Sequence, residues 1–358
     1  MHRIPRDPEK FGPLELADCI GVARNIDLAE VGEAISFSDL LGASRSDDRL
    51  IHGKRVENMF EYVVASLGKA LIIKREDAGE ITCLNTSVQP PDYRVVLKDG
   101  SEHLIEVKNC HNKSFDQPFS MSKRYLDRLR AYAELFKKPL LLAIYWSSLR
   151  MWTVVKPEEV LTRKGAIQLK FADAMLYNRS ALLGDLMLST IPPLCCRIWA
   201  DKNKPRALQP DETVHFIIST ITFYAAGQEI FSEEEKVWAW YFMLHSRWSE
   251  TKAEPMLVDG QLDYIEYESA PSEDTSEQEF QHLGTLSGMV SNYYNFLTVS
   301  GEGRVTRLTP ALGPAALSLG LREEFNGDVL KLWIFEVWPK TRPESELIEQ
   351  RPSDVQVT

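Results

Sequence analysis

The chain has 358 residues, of which 44% are hydrophobic and 26% are charged, and its formal net charge is −11 at pH 7. These proportions are ordinary for a soluble globular protein, and the length allows two domains or one large one. The five cysteines form no Cys-x-x-Cys pair, which argues against a structural zinc site, and nothing suggests a disulfide framework. No apolar run is long enough to span a membrane, and the N-terminus lacks the apolar core of a signal peptide. We therefore expect a cytoplasmic protein without membrane contact.

The charge is distributed unevenly along the chain. Between Arg94 and Lys170 there are fifteen Lys and Arg residues against eight Asp and Glu residues, whereas the stretch from Ala253 to Gly303 has ten acids and no Lys or Arg. The acidic total therefore does not exclude a nucleic-acid partner, because phosphate contacts need only one basic region. The sequence predicts that such a region lies between residues 94 and 170.

The first predicted helix covers Arg55–Leu67, where apolar residues recur at helical spacing and Gly68 follows the end. Glu57 and Glu61 lie on one stripe of this helix, beside the apolar one. A solvated face is the ordinary interpretation of such glutamates, and a position near a metal is the functional alternative. A short strand is predicted next, at Ala70–Lys74.

Residues 91–109, which read PDYRVVLKDGSEHLIEVKN, contain two apolar runs that carry acids. Asp92 begins the first run, and Asp99-Gly100 between the runs is a strong turn signal, so we predict two paired strands. Glu106 and Lys108 are two apart in the second strand and therefore share a face. Carboxylates that meet on one face can hold a hard divalent cation, and a lysine beside them can orient a water molecule or stabilise charge that develops on a phosphate.

The length of the turn decides whether Asp92 joins that face. A two-residue turn at Asp99-Gly100 pairs Asp92 with Val107 and turns it away from the glutamate and the lysine. A three-residue loop at Asp99–Ser101 pairs Asp92 with Lys108 and restores a shared face, and a one-residue bulge has the same effect. A site built on both acids therefore requires an odd-numbered loop or a bulge.

These residues resemble the motif of the PD-(D/E)XK nuclease superfamily: Pro91-Asp92, thirteen residues, then Glu106-Val107-Lys108. Upstream, the stretch from Gly53 to Glu57 resembles the Gly-x-x-x-Glu of the superfamily's first helix. Downstream, residues 119–146 resemble the helix and strand that follow the core in archaeal Holliday junction resolvases. The resemblance covers roughly residues 50–155.

The resemblance implies an α/β fold with a restriction endonuclease-like core, in which a mixed sheet is flanked by helices. It implies a Mg²⁺- or Mn²⁺-dependent endonuclease that acts on nucleic acid, expected to be DNA. Asp92 and Glu106 would be catalytic acids that hold the metal, the Val107 carbonyl and Glu57 would complete the metal site, and Lys108 would position the attacking water. Enzymes of this class act in recombination, restriction and defence against foreign DNA.

The next predicted helix, Ser120–Lys137, buries an apolar stripe flanked by four cations: Lys123, Arg124, Arg128 and Arg130. The ordinary interpretation is a solvated edge, and the functional one is contact with phosphates beside the site. Related exonucleases carry a Gln-x-x-x-Tyr pair on this helix. Here Gln117 and Tyr125 are eight residues apart, so the pair is absent in register. The run Pro139–Trp146 is continuously apolar and predicts a strand buried on both faces.

Beyond residue 165 the resemblance ends. Phe171–Leu188 has helical spacing, Thr213–Tyr224 is an apolar helix or strand, and Ser232–Trp248 predicts an amphipathic helix capped by Ser232. The aromatic residues of that last helix most often form core, although unpaired nucleobases can stack on such a cluster. The acidic stretch Ser269–Gln281 predicts a flexible connection, with an acidic strip that screens or mimics DNA as the alternative.

We therefore predict four parts: an N-terminal segment at 1–44, the nuclease-like core at 45–165, an α+β accessory region at 166–342 and a polar tail at 343–358. The accessory region is expected to contact substrate, a protein partner or a second copy in a homodimer. The alternative function is a nuclease-like fold that serves as a binding or scaffold module for a protein partner without cleavage. The complete Asp, Glu and Lys set argues against it, because a module without catalysis need not keep all three.

Overall fold

The computed structural model describes residues 48–76, 83, 88–111, 114, 116–209, 211, 213–273, 279–318, 325 and 327–340. The predicted N-terminal segment 1–44 and polar tail 343–358 lie outside these ranges. Within them, no helix combines the length and the apolar character needed to cross a membrane.

A five-stranded mixed sheet lies at the centre of the first half of the chain. In chain order the elements are α1 (Asp48–Leu67), β1 (Ala70–Arg75), β2 (Tyr93–Leu97), β3 (Glu102–Cys110), β4 (Phe119–Met121), α2 (Lys123–Phe136), β5 (Leu140–Trp146), β6 (Met151–Val155), β7 (Ile167–Leu169) and α3 (Phe171–Leu176). The sheet order is β1-β2-β3-β5-β6, with β3 and β5 parallel and the other neighbours antiparallel. Strands β4 and β7 form a small separate pair.

Both faces of this sheet are covered. Every residue of β5 is buried, as its continuous apolar sequence predicted. Tyr93, Val107 and Tyr145 belong to the core on the α1 side of the sheet. Leu104 and Trp146 belong to the core on the α2 side. The predicted fold class is confirmed: the protein is mixed α/β, with a mixed sheet flanked by helices.

The second half of the chain is an α+β arrangement. Its elements are β8 (Met187–Thr190), β9 (Leu194–Ala200), β10 (Ile218–Ala225), β11 (Gln228–Ile230), α4 (Glu233–His245), β12 (Ser249–Val258), β13 (Gln261–Ala270), β14 (Gln281–Thr285), α5 (Leu286–Thr298) and β15 (Leu332–Phe335). One antiparallel sheet has the order β11-β10-β9-β13-β12, and a smaller one has the order β14-β8-β15. The predicted cap of α4 is confirmed, because the Ser232 hydroxyl accepts the Glu235 N–H.

The helix predicted at Phe171–Leu188 is wrong beyond α3. The Asn178 side chain accepts the backbone N–H groups of Val154 and Ser180, which draws the chain away from a helical path. Gly184 then adopts a left-handed conformation, with φ of 98°, before β8 begins. Local hydrogen bonds to one buried amide side chain therefore override the helical spacing.

Helix α5 joins the two halves of the chain. Val290 and Tyr294 on α5 belong to the same core as α1 and the first sheet, and the rings of Tyr294 and Tyr62 meet edge to face at 5.2 Å. The Trp152 indole N–H on β6 donates to the Ser291 hydroxyl at 2.9 Å. Residues on both sides of position 165 thus share one core, and the division into domains at that position stays a prediction.

The β2–β3 hairpin has an odd-numbered loop. Tyr93 pairs with Ile105, and the Leu97 N–H donates to the Ser101 carbonyl, so three residues, Lys98 to Gly100, form the loop. Continued by one residue, this register sets Asp92 opposite Glu106. The odd-numbered loop that a site built on both acids requires is present, and it begins one residue earlier than the Asp99–Ser101 loop considered from the sequence. The partner of Asp92 is consequently Glu106 rather than Lys108.

Candidate active site

The odd-numbered loop places both predicted acids on the α2 face of the first sheet. Asp92 precedes β2 and Glu106 lies in the middle of β3, directly across the hairpin. Lys108 follows two residues later on β3 and shares the face of Glu106. The structure therefore brings Asp92, Glu106 and Lys108 together, as the sequence analysis expected.

Glu106 is the centre of a hydrogen-bonded cluster. Only 2% of its surface is exposed, and its Oε1 accepts hydrogen bonds from the Lys108 ammonium and from the Tyr125 hydroxyl, the latter at 2.7 Å. The Lys108 Nζ also lies 3.5 Å from the Tyr125 oxygen and 5.1 Å from the centre of its ring. A buried carboxylate is costly unless it is paired and hydrogen-bonded, and here two donors from different elements satisfy it.

Asp92 is the acid of this cluster whose pKa is most strongly shifted. Burial and the neighbouring Glu106 carboxylate raise its pKa to about 7, against the opposing effect of Lys108 and of a hydrogen bond from the Val107 N–H at 2.7 Å. Burial acts to lower the pKa of Lys108, but the Glu106 carboxylate, the Tyr125 phenol and Asp92 together more than compensate, and the pKa lies above its usual range. Burial and Glu106 likewise raise the pKa of the Tyr125 phenol. At neutral pH the lysine is therefore an ammonium and the tyrosine a neutral donor.

Pro91 leaves the Val107 carbonyl without the donor that the strand register would supply. The alternating ladder of β2 and β3 joins Tyr93 to Ile105, and its next hydrogen-bonded pair would be Pro91 and Val107. Proline has no N–H, so it cannot donate to the Val107 carbonyl. The Val107 N–H donates to the Asp92 carboxylate instead. Two carboxylates and one carbonyl thus belong to adjacent positions at this end of the hairpin.

This donor set fits a hard divalent cation. Mg²⁺ and Mn²⁺ prefer oxygen ligands, and Asp92 and Glu106 supply carboxylate oxygens from directly opposed positions of one hairpin. In the described part of the chain, no group of three or more His, Cys, Asp and Glu side chains gathers where it could hold a metal. The fit therefore depends on Asp92, Glu106 and the Val107 carbonyl.

Glu57 pairs with a lysine on its own helix. Its helix, α1, packs on the opposite face of the sheet, and its carboxylate pairs with Lys54 at 2.7 Å. Its backbone carbonyl accepts a hydrogen bond from the Tyr93 hydroxyl at 2.9 Å. Glu57 still contributes to the electrostatics, because its negative charge helps to raise the pKa of Asp92. Its predicted role as a metal ligand stays a prediction.

The four cations of α2 have different surroundings. Lys123 pairs with Asp127 one turn along the helix, and Arg130 pairs with Glu158 at 3.2 Å. Arg128 donates to the Val88 carbonyl at 3.4 Å and to the Gln89 side chain at 3.0 Å. Arg124 is exposed, and it makes no hydrogen bond or ion pair with the described residues. Arg128 thus holds the segment that leads into Asp92, while Lys123 and Arg124 are the two exposed cations of the four.

Sequence analysis missed Tyr125 as a residue of the site. It considered this tyrosine only as part of a Gln-x-x-x-Tyr pair that is out of register. Ser122 caps α2 by accepting the Tyr125 N–H, and this start of the helix directs the tyrosine at Glu106. One feature of the sequence could have indicated this role: Tyr125 lies in the first turn of the predicted helix that follows the strand of Glu106.

Comparisons with known proteins find one partial structural likeness. No protein-family model matches the sequence, and none of the curated proteins matches it. Among the solved structures, Hjc, a Holliday junction resolvase from the archaeal hyperthermophile Archaeoglobus fulgidus, matches with 15% sequence identity. The match covers 37% of this chain and 99% of that chain, with a TM-score of 0.30. At this identity and score the match assigns no role to any residue.

Proposed function

We propose that this protein is a metal-dependent nuclease that hydrolyses phosphodiester bonds, with DNA as its substrate. The observation that carries the proposal is the meeting of Asp92 and Glu106 across the hairpin, with Lys108 beside them on the same face. The residues match the PD-(D/E)XK motif that the sequence resembles, and the odd-numbered loop meets the geometric condition that the motif requires here.

Each residue of the site has a separate task. Asp92, Glu106 and the Val107 carbonyl would hold Mg²⁺ or Mn²⁺, which when bound supplies positive charge to a phosphate and lowers the pKa of water. Lys108 would hold the attacking water or a phosphate oxygen, because a protonated amine donates hydrogen bonds but has no lone pair for a metal. Tyr125 donates to Glu106 and fixes the direction of that carboxylate.

The charge around the site suits a nucleic acid. Lys123 and Arg124 are exposed at the start of α2, whose first turn also carries Tyr125, so they lie on the same element as a residue of the site. Their ammonium and guanidinium groups would contact phosphates on either side of the scissile bond. DNA is preferred over RNA because the motif resembles a superfamily whose members include restriction enzymes and Holliday junction resolvases.

A binding module without cleavage is the second candidate. The observation that favours it is that Glu106 Oε1 already accepts two hydrogen bonds, one from Lys108 and one from Tyr125. In that case Lys108 would serve as the permanent counter-ion of a buried glutamate rather than as a catalytic group.

Cleavage assays with plasmid, linear and branched DNA, in Mg²⁺, Mn²⁺ or EDTA, test the proposal. We expect metal-dependent cleavage by the wild-type protein and none by Asp92→Asn or Glu106→Gln, each of which keeps the shape of the side chain but removes its charge. Glu102→Gln is the matched control, because Glu102 lies on the same strand and pairs with Lys138 and Arg94 outside the site. Unchanged cleavage in both site variants would contradict the proposal, and binding of DNA without cleavage would favour the module.

A further inference from the structure

A deep cleft lies on the side of the molecule where α5 packs against α1. It has a volume of about 1050 Å³, and its walls come from α1, the turn between β5 and β6, α4 and α5. Asp92, Glu106 and Lys108 are not among the residues that line it. The cleft is therefore separate from the candidate active site, and a ligand could occupy it whether or not the protein is a nuclease.

The cleft is positively charged in an acidic protein. Of the described residues that line it, none is Asp or Glu, whereas Arg55 and Arg150 both reach it. Arg150 is exposed and sits in the turn between β5 and β6. This turn packs closely against α5 at Gly288. A Cβ at position 288 would lie only 2.9 Å from the Arg150 carbonyl oxygen. The turn that carries Arg150 therefore packs directly against α5, which forms one wall of the cleft.

Arg55 is a buried cation with neutral partners. Only 7% of its surface is exposed, and its guanidinium donates to the Asn295 side chain at 2.5 Å and to the Thr298 hydroxyl at 3.3 Å. Its Nε has no hydrogen-bond partner among the described residues. Burial lowers the pKa of this guanidinium. Buried charges are normally paired, so a buried arginine without a carboxylate partner indicates a place for an anion.

Two further polar atoms at the cleft are buried without a partner in the described part of the chain. They are the hydroxyl oxygen of Tyr241, a residue that is 7% exposed, and the Oδ1 of Asn292, whose amide nitrogen donates to the His245 carbonyl. Native proteins leave few buried polar atoms unsatisfied, and each one calls for a partner. A donor, an acceptor and a guanidinium N–H without partners thus belong to three residues that line the same cleft.

The remaining wall is aromatic. The rings of His245 and Tyr293 stack at 4.5 Å with an angle of 19° between their planes, and Tyr241 meets His245 edge-on at 4.8 Å. Trp240 and Phe296 line the same cleft with 47% and 76% of their surfaces exposed. Exposed aromatic rings beside a cationic wall favour a flat ligand that also carries negative charge.

We propose that this cleft binds a nucleoside phosphate, with the phosphate held by Arg55 and Arg150 and the base held among the aromatic residues and the unpartnered Tyr241 and Asn292 atoms. The same chemical unit occurs as a free nucleotide and as one unpaired nucleotide of a single strand. Inorganic phosphate alone would leave the aromatic wall unused, and a nucleoside alone would leave the two arginines unused.

Isothermal titration in EDTA, which keeps the metal site out of the measurement, tests the proposal with four probes: AMP, adenosine, inorganic phosphate and a single-stranded pentamer of deoxyadenylate. We expect AMP to bind more tightly than either adenosine or phosphate. Arg150→Ala should weaken AMP binding by roughly 10-fold through the loss of one charged contact, and Tyr241→Phe by roughly 3-fold or more. Arg163→Ala, which removes an exposed arginine outside the cleft, is the matched control.

Melting temperature separates binding from folding. Tyr241→Phe deletes only an oxygen that has no partner among the described residues, so the ligand-free variant should melt at the wild-type temperature or above it. AMP should raise the melting temperature of the wild-type protein more than that of either cleft variant.

The relative affinities of AMP and the pentamer identify the source of the nucleotide. Tighter binding of the pentamer than of AMP, with the same loss of affinity in both variants, identifies a single strand as the source, and the reverse order identifies a free nucleotide. The proposal is overturned if neither AMP nor the pentamer binds at millimolar concentration, or if both variants bind like the wild type.

Discussion

Lys108 is the residue whose role most clearly separates catalysis from structure. Its ammonium pairs with the buried Glu106 carboxylate, so Lys108→Ala should both slow cleavage, by about 10²-fold, and lower the stability of the metal-free protein. Affinity for Mn²⁺ should be unchanged or improved, since a positive charge has left the site. Single-turnover cleavage and calorimetric metal titration on one preparation measure both effects. Normal cleavage per folded molecule would assign Lys108 a structural role only.

The proposed function makes Tyr125 a positioning residue, since its hydroxyl donates to Glu106. Tyr125→Phe removes the 2.7 Å hydrogen bond to Glu106, and we expect a fall in the cleavage rate of about 10-fold, because the carboxylate loses its fixed direction. Tyr132→Phe is the control: Tyr132 lies on the same helix, and its hydroxyl donates to Glu76 at 2.7 Å rather than to a carboxylate of the candidate site. A positioning role also predicts weaker Mn²⁺ binding by Tyr125→Phe, which a loss of helix packing would not produce. Equal rates in the two variants would remove Tyr125 from the site.

At the scale of elements, the register of the hairpin decides whether Asp92 and Glu106 share a face. Removal of Lys98 would leave a two-residue loop at Asp99-Gly100 that still closes on Leu97 and Ser101, so Asp92 would stay opposite Glu106. We therefore expect that deletion variant to keep metal-dependent cleavage, as measured against Gly100→Ala. The latter should cost about 1 kcal/mol of stability, because Gly100 has φ of 83° and a Cβ there would have nothing within 4 Å, so only conformational strain remains. A folded deletion variant that has lost cleavage would contradict this account of the hairpin.

The start of α2 is the element expected to meet the substrate. The double variant Lys123→Ala, Arg124→Ala should weaken DNA binding and lower the slope of log affinity against log salt by up to about 2, since each lost phosphate contact removes about 0.9 from that slope. Lys98→Ala is the control, because Lys98 lies in the hairpin loop at the opposite end of β2 from Asp92. Binding measured by fluorescence anisotropy across a salt series gives both slopes. If the double variant and the control have the same slope, α2 is not the contact surface.

The sequence predicts an element well when residues close together in the chain determine its structure. Periodicity and apolar runs predicted α1, α2 and β5, and the spacing of the motif predicted that the two acids need an odd loop. The sequence analysis missed the β12–β13 hairpin inside the acidic stretch, although Asp259-Gly260 is the same dipeptide as Asp99-Gly100. At 259–260 both residues have positive φ and form a two-residue loop. At 99–100 the Asp99 side chain accepts the Ser101 N–H, and a three-residue loop results.

Contacts between distant parts of the chain were beyond such reasoning. Tyr125 reaches Glu106 because α2 packs on the sheet, and no spacing along the chain encodes that contact. The same is true of Tyr294 on α5, which is fully buried against α1 although more than two hundred residues separate them. The acidic C-terminal half was expected to select a substrate or partner, which stays a prediction, and part of it also completes the core that supports the hairpin.

At the scale of the whole molecule, that shared core predicts that residues 45–165 cannot fold alone. Without α5, the fragment would expose Tyr62 and Val63, and it would leave Arg55 and the Trp152 indole without Asn295 and Ser291. We expect the isolated fragment to lack near-ultraviolet circular dichroism and to bind a hydrophobic dye, and co-expression with residues 166–342 should restore both to native values. In the full chain, Tyr294→Ala should cost about 3–5 kcal/mol, as for other buried aromatic residues, whereas the exposed Phe296→Ala on the same helix should cost about 0.5 kcal/mol or less. A fragment that unfolds cooperatively with a native spectrum would show that the first sheet needs no help from α5.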